Sequence, residues 1–123
     1  MGAVSMSKIL LVDDSNFQRN SLAKKLQELA CEVDQAPNGD AGLTLARSKK
    51  FDLIITDLHM PVMDGFDFIK SIRKLDQTVP IFVLSADVQS GTHQEIKAAG
   101  GNGFLPKPLS KDVLEELIKG LFS

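Results

Sequence analysis

Five short stretches recur along the chain, each followed by a segment with helical spacing, and this alternation limits the fold more than any other feature. They are Lys8–Val12 (KILLV), Cys31–Ala36, Phe51–Thr56, Pro80–Leu84 (PIFVL) and Asn102–Pro106, at intervals of about 20 to 30 residues. Strands joined through helices at that interval pair in parallel, because the helix carries the chain back to its starting edge. The expected fold class is therefore α/β, a doubly wound five-stranded parallel sheet with five helices covering both faces. Leu53-Ile54-Ile55 is an apolar run with a β-branched core, too short for a membrane span and bounded by polar residues, as in a central strand. Cys31–Ala36 alternates apolar with polar residues and suits a more exposed strand near the sheet edge.

The segments between the strands carry helix signals. Asp13-Asp14-Ser15 is a cap-like cluster before a helix expected from Asn16 to Leu29, with Phe17, Leu22, Leu26 and Leu29 on its apolar face. Pro37-Asn38-Gly39 marks a turn, after which Asp40 is expected to cap a helix running through Leu43, Leu45 and Ala46 to about Lys49. Gly42 costs that helix on the order of 1 kcal/mol against Ala, so it is expected to be the weakest. Asp64 caps a third helix carrying Phe66, Phe68, Ile69, Ile72 and Leu75, which ends before Asp76. The fourth, Gln89–Ala99, has a poor apolar face in Ile96, Ala98 and Ala99, which makes it a candidate mobile element, and Gly100-Gly101 stops it. From Ser110 the last helix is expected to face Val113, Leu114, Leu117, Ile118, Leu121 and Phe122 inward.

A length of 123 residues suits one domain, expected over residues 8–123 after a loose tail at 1–7, and no output domain is expected within the sequence. The formal charge of −2 offers no basic footprint for direct nucleic-acid binding. Cys31 is the single cysteine, which excludes an internal disulfide or a multi-cysteine zinc site; it reads as a small buried hydrophobe in a reducing, cytoplasmic compartment. The first residues lack the apolar core of a signal peptide, and Gly2 is not followed by the Ser or Thr that myristoylation needs, since Met6 stands there.

The chemistry is expected at one edge of the sheet. Right-handed crossovers bring the carboxyl ends of all the strands together, so Asp13, Asp14, Asp57, Ser85 and Lys107 should converge where α/β sheets bind ligands. Crowded carboxylates repel one another, and a hard divalent cation relieves this. Mg2+ prefers oxygen ligands and is typically held by one or two carboxylates together with a phosphate. Lys107 supplies a point charge for a phosphoryl group and Ser85 a neutral donor. Asp57, ending the central strand where Met60-Pro61 and Asp64-Gly65 break regular structure, is best placed to attack phosphorus and form an aspartyl-phosphate.

These residues together resemble a response-regulator receiver domain of two-component signalling, particularly the single-domain chemotaxis type. The resemblance spans about Lys8 to Phe122. It is carried by LLVDDS, by Asp57 with Met60-Pro61 and Met63-Asp64-Gly65, by Ser85-Ala86, and by Phe104-Leu105-Pro106-Lys107-Pro108. It implies the flavodoxin-like strand order 2-1-3-4-5. Asp57 would accept the phosphoryl group from a histidine kinase or phosphotransfer protein. Asp14 would ligate Mg2+ directly, Asp13 through water, with Asp57 and the main-chain carbonyl of His59 completing the protein ligands. Lys107 would pair with the phosphate, Ser85 would move toward it, and Phe104 would switch between exposed and buried rotamers on a readout face made by the fourth helix, fifth strand and fifth helix. The Lys107–Pro108 bond would be cis. A downstream target protein, and a monomer or phosphorylation-dependent dimer without membrane insertion, complete the implied picture. The domain would be at most a catalyst of its own phosphorylation and dephosphorylation.

The chain departs from the family pattern in places. Ser85 stands where Thr is common, Phe104 where Tyr is also common, and Ala41-Gly42 where Glu-Ala is usual. His59 and Asp87 occupy the variable positions flanking the phosphoryl site. Read from residues alone, Phe104 is equally an ordinary core residue, His59 and His93 are surface histidines, and Met60 and Met63 pack loops. The alternatives are a pseudo-receiver scaffold that works without phosphorylation, a flavodoxin-type carrier, disfavoured because Asp13-Asp14 would repel its phosphate, and a phosphohydrolase, which lacks an acid two residues beyond Asp57.

Overall fold

The structure is a computed structural model and describes residues 7–86 and 90–122. Alternating side chains of β1 (Lys8–Val12) enter both faces of the sheet, Ile9 and Leu11 joining one core and Leu10 and Val12 the other. The chain continues through α1 (Asn16–Glu28), β2 (Glu32–Ala36), α2 (Gly39–Ser48), β3 (Leu53–Asp57), α3 (Gly65–Leu75), β4 (Ile81–Ser85), α4 (Ser90–Ala99), β5 (Gly103–Pro106) and α5 (Lys111–Phe122). The strands form one sheet in the order β2-β1-β3-β4-β5, all parallel, as expected. Leu22, Ala23 and Leu26 of α1 and Leu114 of α5 cover one face. Leu43 of α2, Phe68, Ile69 and Ile72 of α3, and Ile96 and Ala99 of α4 cover the other.

Local chemistry sets the helix starts. Ser15 accepts from Gln18 N–H at 3.2 Å and Asp64 from Asp67 N–H at 2.9 Å, both as expected. The second cap differs: Asn38 accepts from Ala41 N–H at 2.8 Å, and Asp40 lies in the first turn of α2. Gly39, read as part of the turn, is helical instead. β3 begins at Leu53 and includes Asp57, so the acid is the strand's last residue and is held at its geometry.

Three inward-facing assignments do not hold. Phe17 is 83% exposed in the first turn of α1, ahead of the buried stretch Leu22, Ala23 and Leu26. Val113 and Phe122 of α5 are also exposed, and the buried side of that helix is Leu114 with Leu117, Ile118 and Leu121 partly covered. Of the residues 1–7 expected as a tail, 1–6 lie outside the described residues, and the carbonyl of Ser7 accepts from Glu32 N–H at 2.8 Å. Gln89, the expected start of the fourth helix, also lies outside them. Cys31 is buried, and burial pushes its thiol above the usual range, as suits a packing residue.

Candidate functional site

β1 and β3 lie side by side, with Val12 opposite Thr56, so the residues that follow each register position put Asp13 beside Asp57. This is the point where the strand order reverses, the place at which open α/β sheets bind ligands. One carboxylate oxygen each from Asp13, Asp14 and Asp57 lies within 4.8 Å of the others. Asp13 and Asp57 are buried and Asp14 is exposed, which leaves the cluster open to solvent on one side.

The backbone fixes each acid. Asp13 N–H donates to Ala36 O at 3.1 Å, and Asp13 Oδ1 accepts from Ser15 N–H at 2.9 Å, so the cap residue of α1 also orients the acid. Asp13 Oδ2 is buried and has no hydrogen-bond partner. Burial raises the Asp13 carboxyl above the usual range, and the charges of Asp57 and Asp14 push the same way. The Ser15 N–H and the Lys107 charge only partly offset this. An orphaned buried oxygen within an all-oxygen donor set is the environment a hard cation satisfies, and the absence of thiolate or imidazole from the cluster disfavours zinc.

Lys107 closes the site from the far side. β5 pairs with β4, and Lys107 N–H donates to Ser85 O at 3.0 Å, directing its side chain back across the sheet. Its Nζ reaches Asp57 Oδ1 at 2.9 Å, and the same oxygen accepts from Leu58 N–H at 2.9 Å. The Lys107–Pro108 peptide is cis, as expected. Ser85 is buried at the end of β4. Gly65 permits the tight return after Asp57, since a Cβ there would stand 2.7 Å from the Asp57 carbonyl oxygen.

The residues expected at one edge are thus brought together: Asp13, Asp14 and Asp57 in one cluster, Lys107 by its ion pair with Asp57, and Ser85 by strand register. The His59 side chain is exposed and Met60 is buried in the core. Met63 packs on Gly39. Asp87 lies outside the described residues. Phe104 is half-buried against the core formed with α2, α3 and α4. His93 is not a free surface residue: its ring lies 4.0 Å from that of Phe104, because one turn of α4 separates it from the buried Ile96 on the same flank. Arg19 was not singled out from the sequence. Its Nη1 donates to the Asp13 carbonyl at 2.6 Å and its Nε to Gln35 Oε1 at 3.1 Å, tying β2 to the acidic loop. Its place one helical turn after the acid pair was the available signal.

A family model for the response regulator receiver domain matches residues 9–119. The chain is 31% identical over 118 residues to chemotaxis protein CheY of Pseudomonas aeruginosa, covering 94% of this chain and 95% of that protein. It is also 36% identical over 107 residues to the sensor protein EvgS of Escherichia coli K12, covering 87% of this chain but 9% of that protein. The chain spans less than a tenth of the length of EvgS and of the peroxide stress-activated histidine kinase mak3 of Schizosaccharomyces pombe. Among solved structures, chemotaxis protein CheY4 of Vibrio cholerae superposes with a TM-score of 0.92 at 36% identity, covering 96% of this chain and all of that one. The receiver domain of a Pseudomonas aeruginosa sensor histidine kinase, with a magnesium ion coordinated in its active site cleft, gives a TM-score of 0.86 at 27% identity, covering 95% and 98%.

Proposed function

Because the chain belongs to the response regulator receiver family, a phosphoacceptor family of two-component signalling, we propose that Asp57 is its phosphoacceptor and that residues 8–123 act as one switch. Receiver domains interact with histidine kinases or phosphotransfer proteins, and such a protein is the proposed donor here. The observation that carries the reading is Asp57 itself, a buried acid in a carboxylate cluster with Lys107 Nζ 2.9 Å from its Oδ1.

The chain's own groups account for the transfer. Oδ1 of Asp57 holds both side-chain hydrogen bonds found for this residue among the described residues, to Lys107 Nζ and Leu58 N–H, which supports Oδ2 as the attacking oxygen. A bond forms from Oδ2 to phosphorus while the bond from phosphorus to the donor imidazole breaks, and the electron pair leaves with the imidazole nitrogen. Lys107 exchanges its carboxylate partner for a phosphoryl oxygen, and Ser85 offers the neutral donor. Mg2+, held by Asp13, Asp14, Asp57 and the His59 carbonyl, would supply charge neutralisation for the phosphoryl oxygens. The covalent phosphate then favours an inward Ser85 and an inward Phe104, changing the face of α4, β5 and α5 that a downstream protein reads.

A cytoplasmic location and a protein rather than nucleic-acid target belong to the same proposal. They are supported by the net charge of −2 and by the finding that no helix among the described residues is long and apolar enough to cross a membrane.

The test is intact mass after incubation with acetyl phosphate, with and without Mg2+, for the natural chain and for Asp57→Asn. One phosphoryl adduct that needs Mg2+ and disappears in the variant is expected. An adduct that persists in Asp57→Asn would move the acceptor elsewhere, and no adduct on a chain that still binds Mg2+ would favour a phosphorylation-independent scaffold.

A further inference from the structure

α4 is anchored unevenly. At its carboxyl end Gly101 N–H donates to Ile96 O at 2.8 Å and Gly100 N–H to Lys97 O at 3.0 Å, a closed helix terminus with Gly100 at φ 111°. Arg73 of α3 fixes that end from outside, donating through Nε to Gly100 O at 2.9 Å and through Nη2 to Asn102 Oδ1 at 3.1 Å. Ile96 and Ala99 are buried beside it. Toward the amino end, Thr92 is buried and His93 lies with its ring 4.0 Å from the Phe104 ring, the planes tilted by 38°. The His93 ring is thus one contact that ties the first half of α4 to β5.

Strand register extends this contact to the site. Phe104 pairs with Val83, two residues before Ser85, and residues two apart in a strand share a face. Ser85, Val83, Phe104 and His93 therefore form one contiguous row from the phosphoacceptor edge to α4. The row ends on an unsatisfied group, since His93 Nε2 is buried and has no hydrogen-bond partner. Either tautomer of an imidazole nitrogen needs a donor or an acceptor, and water supplies both as soon as the ring swings outward. Ring contact holds the arrangement shut while hydration of Nε2 favours opening, which makes it reversible.

We propose that His93 is a positioning residue, a latch that holds Phe104 against α4 until Asp57 is phosphorylated. The proposal rests on the reading of Phe104 as the switch residue. Its opening frees Phe104 to change rotamer and frees the first half of α4 to move about the end pinned by Arg73.

The test compares the natural chain with His93→Ala and His93→Phe. Phe104 χ1 populations are measured by NMR couplings without any phosphodonor, and phosphoryl uptake from acetyl phosphate with Mg2+ is followed by intact mass. In His93→Ala the minor Phe104 rotamer should rise about threefold or more and uptake should quicken by a similar factor. In His93→Phe, which keeps a ring on Phe104 but removes the orphaned nitrogen, both should fall to or below natural values. Natural rotamer populations in His93→Ala would overturn the latch. The rotamer reading needs no phosphorylation, so a chain that takes up no phosphoryl group would defeat the proposed function while the latch is still decided.

Discussion

Ala30 and Val62 are the non-glycine residues at positive φ among those described, at 64° and 71°. Ala30 follows α1, where Cys31 N–H donates to Leu26 O at 3.1 Å and Ala30 N–H to Gln27 O at 3.0 Å, the paired bonds of a Schellman terminus. Its fifth position calls for the left-handed conformation, in which a Cβ crowds the following carbonyl oxygen at a cost of roughly 1–2 kcal/mol. Ala30→Gly should therefore raise stability by about 0.5–1 kcal/mol in urea unfolding, the relief of strain exceeding the entropy that glycine adds to the unfolded chain. Val62 carries a larger penalty because its β-branched side chain is fully exposed and gains no packing in return. Val62→Asn should stabilise by a similar or larger amount, since Asn tolerates this region. It lies in the loop between Asp57 and α3, so a gain in stability accompanied by slower phosphoryl uptake would mean that the strain serves the site.

At the scale of elements, Gly42 shows how packing reverses a propensity argument. Ala at this position would favour an isolated helix by about 1 kcal/mol. In α2 its Cβ would stand 2.9 Å from Phe68 Cε1 and 3.0 Å from Val12 Cγ2, both fully buried. Gly42→Ala should thus lower stability by roughly 1–3 kcal/mol, read as a reduced urea midpoint. An increase would show that α2 shifts away from α3 at little cost. β1, β3 and β4 were legible because a buried parallel strand has to be apolar throughout, β2 by its alternation at the sheet edge, and the site because Asp13, Asp57, Ser85 and Lys107 each end or follow a strand. What was hidden depended on distant partners: Phe17 has an apolar side chain with nothing above it, and His93 became a packing residue only when β5 brought Phe104 to it. The turn after α3 gives a further test. Thr78 N–H, Val79 N–H and the Thr78 hydroxyl all donate to Asp76 Oδ1, at 2.9, 3.1 and 3.1 Å. The Thr78 N–H first, with Val79 N–H and the Thr78 hydroxyl, holds the carboxyl below its usual range against the effect of burial. Unfolding therefore takes up a proton between the folded and unfolded values. The Asp76 contribution is complete above the ordinary carboxylate value near ~4 and is lost as pH falls through the lower folded value. Asp76→Ala should cost about 1 kcal/mol near neutral pH, with the difference from the natural chain vanishing in acid.

For the whole molecule, the two cores and the acidic edge impose opposite demands. Each face of the sheet is sealed by helices, so burial at the strand ends extends to Asp13 and Asp57, whose charges are then poorly solvated. Lys107 answers one of them through Asp57 Oδ1, while Asp13 Oδ2 keeps no partner. The folded chain accordingly carries a stability deficit at this edge that the unfolded chain, with its carboxylates in water, does not. A cation that binds only the assembled cluster converts that deficit into linkage. At Mg2+ ten times its dissociation constant the folded state should gain about 1.4 kcal/mol, a rise of roughly 5 °C in the unfolding midpoint. Asp13→Asn removes a buried charge and one ligand together, so it should raise the midpoint without Mg2+ and shrink the Mg2+-dependent rise. Thermal unfolding of both chains across a Mg2+ titration reads the two effects separately. A variant less stable than the natural chain without Mg2+ would show that the charged Asp13 is net stabilising, through its Ser15 hydrogen bond and Lys107, and a Mg2+-dependent rise undiminished in Asp13→Asn would place the metal affinity in Asp14 and Asp57 instead.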